Sequence, residues 1–491
     1  MLESTGLETK VCRRPLISLT AAFFLLISVW STLTPLFAGP DEPASYIRGA
    51  AIVRGVIVGT NIPASESTAY WSTYVDIPQQ FGVAQLVPWC FVGQPEKPAC
   101  SQPLETLVPV EDPRTDMGRY PPTGYFFSGL GSLLGPNDLS VLISRIINAL
   151  VCAFLISLAC INLLKAKRSL LTLIVAVSPG VIFFSSIINS SAIEISAALC
   201  FWCGLSVDKT KESKLNAFSI AVSGSLLVLA RTTGPIYFVI ALVVIWIANY
   251  SDKSLNELKL RFLKPLIAPV ISLLIAIIWH LRIYSFNLKN SYAKKSELPT
   301  LVEVVEQSFG DLSRKISEAV GNFGWLDTPA PTFAVWFFFS ATIFVIFSRW
   351  MQKPTAEKSA SLTLILLVFV MMVYLNWNTQ KYGGKFGVQG RHLTPLLVGV
   401  PIIGGANWHP SKTAKKLLLF GWTVSLFASG VSALRRYTVG VKDLNFFKMF
   451  SDPIWVPRFG VTPTLISLFI VSSGVAIIVW IIESNNDRAP V

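Results

Sequence analysis

Residues 15–37 read PLISLTAAFFLLISVWSTLTPLF, and residues 462–482 read TPTLISLFIVSSGVAIIVWII. Each is an apolar block of roughly 20 residues, the length an α-helix needs to cross about 30 Å of hydrocarbon. Backbone polar groups cannot go unpaired in lipid, so such blocks must be helices. Further blocks follow one another between these two, and the chain as a whole is 52% hydrophobic and only 14% charged, outside the range of ordinary globular domains. The reading is an all-α, polytopic transmembrane bundle of about twelve helices, a single integral membrane domain over residues 1–491 with no free-standing soluble enzyme in it.

A net charge of +13 raises the question of nucleic acid. The basic residues, however, fall into short clusters between apolar blocks and form no continuous stripe, so nucleic acid is not an expected partner and positive-inside bias accounts for most of them. Lys10, Arg13 and Arg14 before the first block also suggest a secretory signal. That block is longer than a signal h-region and lacks a convincing small-residue cleavage site before Asp41, which makes it a retained anchor.

With a cytoplasmic amino terminus, the spans are approximately 15–37, 139–164, 169–187, 192–207, 215–230, 235–250, 265–285, 331–348, 359–376, 393–406, 416–434 and 461–482. Both termini are then cytoplasmic and the clusters around Lys165–Arg168, Lys209–Lys214, Lys253–Lys264, Arg349–Lys358 and Lys412–Lys416 land inside. The stretch Tyr120–Leu134 is apolar but short and opens with Pro121-Pro122, so it is read as interfacial or re-entrant. The short pair around Arg231–Pro235 is either two crossings or a re-entrant hairpin. Large extracytoplasmic segments follow at 39–138, 286–330 and 435–460. In the second, Leu301, Val305, Leu312, Ile316 and Val320 recur at helical spacing, which suits a helix on the membrane surface. Of seven cysteines, Cys152, Cys160, Cys200 and Cys203 lie in apolar blocks, where cysteine behaves as a small hydrophobe. Cys90 and Cys100 lie in the long outer loop, where a disulfide persists, and are expected to pair.

Chemistry is concentrated in a few places. Gly39-Pro40-Asp41-Glu42-Pro43 follows the first span directly, placing two carboxylates at the water–lipid boundary. Pro43 suits the first turn of a helix, so one reading is that Asp41-Glu42 only caps a juxtamembrane helix over 44–58. Ionisable groups within apolar blocks need a partner or a wet cavity. For Arg145 and Glu194 mutual pairing or cavity lining is plausible, whereas Arg231 and Arg282 lie near block ends and can snorkel. His280 alone is weak evidence for a metal. Late in the chain, Gln389-Gly390-Arg391-His392-Leu393-Thr394-Pro395 offers a guanidinium able to grip a phosphate, with glycine allowing close backbone approach; its plainer reading is a topological flank.

Pro40-Asp41-Glu42-Pro43-Ala44, Arg119-Tyr120-Pro121-Pro122 and Gln389-Gly390-Arg391-His392-Leu393-Thr394-Pro395, in that order, resemble the bacterial multipass family of the domain of unknown function 2142, which is similar to the glycosyltransferase C (GT-C) superfamily. The resemblance implies a long first outer loop, an acidic catalytic base at its start and a polyprenyl-phosphate sugar donor. Carried onto this chain, the base is Asp41, with Glu42 orienting it or helping to hold a divalent cation. Arg391 is the expected phosphate contact, Lys385 and Arg436 are further choices, and Arg119, Tyr120 and Arg145 complete the expected substrate contacts. One departure is Asn189-Ser190-Ser191-Ala192, where such proteins often read Asn-Pro-Asp-Ala, so no acid is assigned there. The expected function is sugar transfer to a glycan, lipid or protein acceptor on the outer face of the cell membrane. The alternatives are a transporter or flippase, which would tend to show repeated halves, and a non-catalytic envelope-assembly protein.

Overall fold

The computed structural model describes residues 3–62, 72–100, 102–207, 213–249, 255–284, 299–381, 387–442 and 445–486. Its helices are α1 Glu3–Thr32, α2 Glu42–Ile52, α3 Thr123–Gly129, α4 Asp138–Lys165, α5 Leu171–Ala176, α6 Pro179–Ser186, α7 Ser190–Leu205, α8 Lys214–Ala230 and α9 Gly234–Asn249, followed by α10 Leu255–Trp279, α11 Leu301–Val320, α12 Thr332–Phe347, α13 Thr355–Lys381, α14 Gly390–Leu397, α15 Gly399–Gly404, α16 Lys412–Thr438, α17 Lys448–Ser451 and α18 Val461–Asn486. Among the described residues, strand is confined to two small antiparallel ribbons. One has the order β1 Thr60–Asn61, β2 Thr73–Tyr74, β3 Arg114–Thr115, and pairs Asn61 with Thr73 and Thr73 with Thr115. The other joins β4 Asn322–Phe323 to β5 Thr328–Pro329.

Among the described residues, seven helices are long and apolar enough to cross a membrane: α1 from Pro15, α4, α10 from Lys264, α12, α13, α16 and α18. α7, α8 and α9 are apolar but shorter. The expected span at 169–187 is instead two short helices, α5 and α6, broken at Val177-Ser178. Ser178 is the cap of α6, accepting from Val181 N at 3.4 Å, and Pro179 takes the first helical position, the combination that starts a helix. The break is tolerable in an apolar setting because the freed groups are used: Val177 O accepts from Trp422 Nε1 at 2.8 Å and Ser178 Oγ donates to Ala319 O at 3.2 Å. The block at 393–406 is likewise divided at Val398 into α14 and α15.

Burial sorts the helices into layers. Every residue of α5, α6 and α7 is buried, the signature of helices surrounded by other helices, and α4 packs against α7 and α1. By contrast α10, α12 and α18 expose most of their apolar faces, among them Ile271, Leu274 and Ile278, Trp336 and Phe347, and Phe469, Ile470 and Ile477. Those faces are where lipid belongs. The amphipathic α11 starts with a capping box between Thr300 and Glu303, but its stripe divides: Val304, Ser308, Lys315, Ala319 and Val320 are buried, whereas Leu301, Val302 and Phe309 stay exposed.

The connecting segments gather at two ends. At one end, Trp325 Nε1 donates to Phe37 O at 3.2 Å, Tyr437 OH to Ala38 O at 2.8 Å and Val441 N to Pro95 O at 3.0 Å. At the other, Lys415 pairs with Glu483 at 3.2 Å, and Glu483 also accepts from Leu170 N at 2.5 Å. The first end also carries α2 and α3, which cross backbone to backbone at a pair of glycines. A Cβ on Gly129 would lie 2.4 Å from Gly49 O, so the residue at this crossing has to be glycine. Gly129→Ala is expected to push α3 off α2 and lower stability by about 1–3 kcal/mol, the usual scale of overpacking. Thermal unfolding of the purified protein reads this out, and an unchanged midpoint would show that the crossing has slack.

Candidate functional site

The start of α2 decides the site. Asp41 sits in the left-handed region at φ 59°, its carbonyl accepts from Ser45 N at 2.9 Å to begin the helix, and its side chain makes no capping hydrogen bond. Asp is among the few residues that tolerate this conformation. The capping role that the sequence allowed for Asp41 is therefore absent, and its carboxylate is directed elsewhere. It meets Arg391 Nη2 at 2.5 Å, with the Asp41 side chain 36% exposed and Arg391 5% exposed. Arg391 also lies over the Phe184 ring, 5.8 Å from its centroid, and its Nε is buried with no partner.

Glu42, one residue on, points into the protein and is fully buried. Its Oε1 accepts from Arg145 Nε at 2.7 Å and Ile188 N at 3.0 Å, and its Oε2 from Arg145 Nη2 at 2.7 Å and Gly39 N at 3.2 Å. Arg145 gives its remaining N–H groups to Ser31 O, Thr34 O and Pro35 O at 3.2, 2.8 and 2.7 Å. A guanidinium has five N–H donors, and all are used. Two expectations are corrected here: Glu42 neither orients Asp41 by contact nor offers an oxygen to a cation, and Arg145 has no donor left for a substrate. Arg145 pairs with Glu42 and not with Glu194. Both residues hold the end of α1, the start of α2, α4 and the α6–α7 link together. Among the described residues, no three of His, Cys, Asp and Glu converge as a metal set.

Arg436 is corrected on the same ground. It is buried, pairs with Asp327 Oδ2 at 2.9 Å, and donates to the carbonyls of Phe91, Gln94 and Lys97. Those three carbonyls lie within the loop closed by the Cys90–Cys100 disulfide, whose Cα atoms are 6.2 Å apart. Arg436 thus fastens that loop to the end of α16. Arg119 is buried, with Nε on Asn61 Oδ1 at 3.2 Å and its carbonyl accepting from Trp279 Nε1 at 2.9 Å. Tyr120 is half-buried, and Arg48 Nη2 holds its carbonyl at 2.9 Å. Lys385 lies outside the described residues.

Gly390 does make a close approach, though to protein: a Cβ there would meet Ala319 N at 2.4 Å, and Gly390 N donates to Glu318 Oε2 at 2.9 Å. This docks the first turn of α14 on the end of α11 and so sets Arg391. On the other flank, Asn189 caps α7 by accepting from Ser191 N at 2.8 Å while donating to Pro40 O at 2.7 Å. One turn down α7, Glu194 accepts from Thr233 Oγ1 at 2.9 Å and lies 3.7 Å from Arg231 Nη1. Arg231 donates to Ser191 Oγ at 2.9 Å and is flanked by Tyr120 and Tyr125.

One group escaped notice in the sequence. Asp116, in the segment before Arg119-Tyr120, accepts from the Ser72 hydroxyl and lies near Asp41. Burial pushes its carboxyl above the usual range, the negative charge of Asp41 adds to this, and Ser72 and Arg114 oppose it. Nothing in its spacing marks it, because only the β2–β3 pairing and the return of the loop bring it to α2.

These features define a polytopic α-helical membrane protein with a charged site at one end of its bundle, built where α2, α7, α14 and the α8–α9 turn converge. A family model described as a predicted membrane protein, DUF2142, matches residues 23–400, and the chain belongs to that family. No curated protein matches it.

Removing one partner of the inner pair leaves the other charged and buried. Arg145→Met is expected to cost about 3–5 kcal/mol, and adding Glu42→Gln to recover much of it, as read by thermal unfolding in detergent. A double variant no better than the single one contradicts this. Asp116 sets a separate pH dependence. Its raised value means that its contribution to stability is fully present below the ordinary carboxylate range and is lost as pH rises through its value in the folded protein. Asp116→Asn should flatten that slope in unfolding midpoints measured against pH.

Proposed function

We propose that the protein is a membrane glycosyltransferase that moves a sugar from a polyprenyl-phosphate carrier to an acceptor hydroxyl. The observation that carries the reading is the meeting of Asp41 and Arg391, 350 residues apart in sequence, at a partly exposed point beside helix ends. The reaction uses a carboxylate to take the acceptor proton and a cation to meet the leaving phosphate, and the site holds one of each. The acceptor oxygen attacks the anomeric carbon and its proton passes to Asp41. The bond from the anomeric carbon to the phosphate oxygen breaks, and the electron pair leaves with the polyprenyl phosphate, whose growing charge Arg391 stabilises. Arg391 Nε is buried and has no partner in the protein, so it is a donor not already committed.

The membrane bundle serves the same chemistry by holding the carrier's lipid tail between helices. We place the site on the extracytoplasmic face of the cell membrane, with both termini in the cytoplasm. What supports this is the Cys90–Cys100 bond at the same end of the bundle as Asp41, since disulfides persist on the oxidising side. The acceptor is a glycan, lipid or protein hydroxyl of the envelope.

The decisive variant is Asp41→Asn, because asparagine tolerates the left-handed backbone at this position and keeps the fold. Transfer from a labelled lipid-linked sugar in membranes is expected to fall by roughly 10²–10⁴-fold, the usual worth of a general base. Undiminished transfer by a normally expressed variant eliminates Asp41 as the base.

A further inference from the structure

Glu194 is a buried charge that its surroundings satisfy only in part. It is fully buried, one turn inside α7, and Thr233 satisfies its Oε1 at 2.9 Å. Its Oε2 has no hydrogen-bond donor, and the nearest cation, Arg231 Nη1, stands 3.7 Å away. That separation exceeds a hydrogen bond, for which N–H to O rarely passes 3.2 Å. A buried carboxylate oxygen left without a donor is costly, and the cost is removed by any group that can donate to it. Glu194 is enclosed, while Arg231 is 14% exposed and fixed from behind by Ser191 Oγ, so the pair joins the buried start of α7 to the polar site. The gap is tied to Asp41 through Ser191, Asn189 and the carbonyl of Pro40.

We infer that Glu194 and Arg231 form the seat for the sugar of the lipid-linked donor, with one sugar hydroxyl donating to Glu194 Oε2 and accepting from Arg231. The chemistry selects the ligand class. A phosphate would be repelled by the carboxylate and a simple cation by the guanidinium, whereas a hydroxyl both donates and accepts. The inference rests on the transferase reading and divides its site in two: Asp41 and Arg391 act on the phosphate and the attacking hydroxyl, while Glu194 and Arg231 recognise the sugar. Hydrogen bonds from neutral groups to buried charges are the ones that discriminate most strongly between a ligand that has the hydroxyl and one that lacks it.

The test compares binding of undecaprenyl phosphate with that of undecaprenyl-phosphate glucose, mannose and arabinose to the full-length protein in nanodiscs. The wild-type protein is expected to bind at least one sugar-bearing carrier about tenfold more tightly than the bare carrier. Glu194→Gln should abolish that preference while leaving affinity for the bare carrier within about twofold. Arg391→Gln should weaken both carriers together. If Glu194→Gln misfolds, Glu194→Gln with Arg231→Gln removes both charges of the pair at once and should show the same loss of sugar preference. A preference that survives either folded variant overturns the seat, as does a wild-type protein that binds the bare carrier and gains nothing from any of the three sugars. In both of those cases the transferase reading stands. Failure to bind any of the four carriers overturns the transferase reading and the seat with it.

Discussion

The fold at the charged end of the bundle depends on one buried ion pair. Arg145 reaches from α4 to the carbonyl of Ser31 in the last turn of α1, to those of Thr34 and Pro35 just beyond it, and to the Glu42 carboxylate at the start of α2. The last carbonyls of any helix lack intrahelical partners, and in an apolar setting each one left bare would cost several kcal/mol. Arg145 donates to one such carbonyl, Ser31 O, and to two in the turn that follows, and brings a cation, the sign a helix C-terminus favours. Glu42 then neutralises Arg145 and takes backbone N–H groups from Gly39 and Ile188. Because no donor and no acceptor of the pair is left over, it specifies one geometry for four segments at once.

That geometry exposes a neighbouring charge. Arg391 occupies the second position of α14, the end of a helix where a cation is disfavoured. It therefore needs carboxylates, and Asp41 supplies one directly while Glu318 holds the adjoining backbone N–H of Gly390. Helix breaks that would be defects in a water-soluble bundle are the means of assembly here. Dividing 169–187 at Val177-Ser178 frees the Val177 carbonyl, which accepts from Trp422, and lets Ser178 reach Ala319 at the end of α11.

Much of this was legible in residue order. Blocks of apolar residues announce helices because lipid admits little else, and Asp41 and Arg391 stand out as charges at block ends. Charge pairing was not legible. Arg145 and Glu194 are both intramembrane and of opposite sign, yet each pairs with a different residue, Glu42 and Arg231. Which helices are neighbours, and at what rotation, is a property of packing that hydropathy does not carry. The break at Ser178-Pro179 carries a cap residue followed by proline, but it sits within a continuous apolar run. Arg436 was a further choice for the phosphate contact because Asp327 and the carbonyls that surround it lie far away in sequence.

Adjacent carboxylates with opposite fates show how much the backbone contributes. Asp41 and Glu42 have the same charge and nearly the same chemistry, and composition cannot rank them. Asp41 is left-handed and outside the helix, whereas Glu42 is in its first turn. The change of backbone direction between them turns one side chain toward Arg391 at the partly exposed site and the other into the core. The outer carboxylate stays partly exposed while the inner one is fully engaged: with Glu42 holding the start of α2, Asp41 keeps an uncommon conformation that a freer segment would relax. Exchanging the two residues would therefore not exchange their roles, since the longer side chain belongs to the position that must reach Arg145 and the residue tolerant of positive φ belongs to the turn.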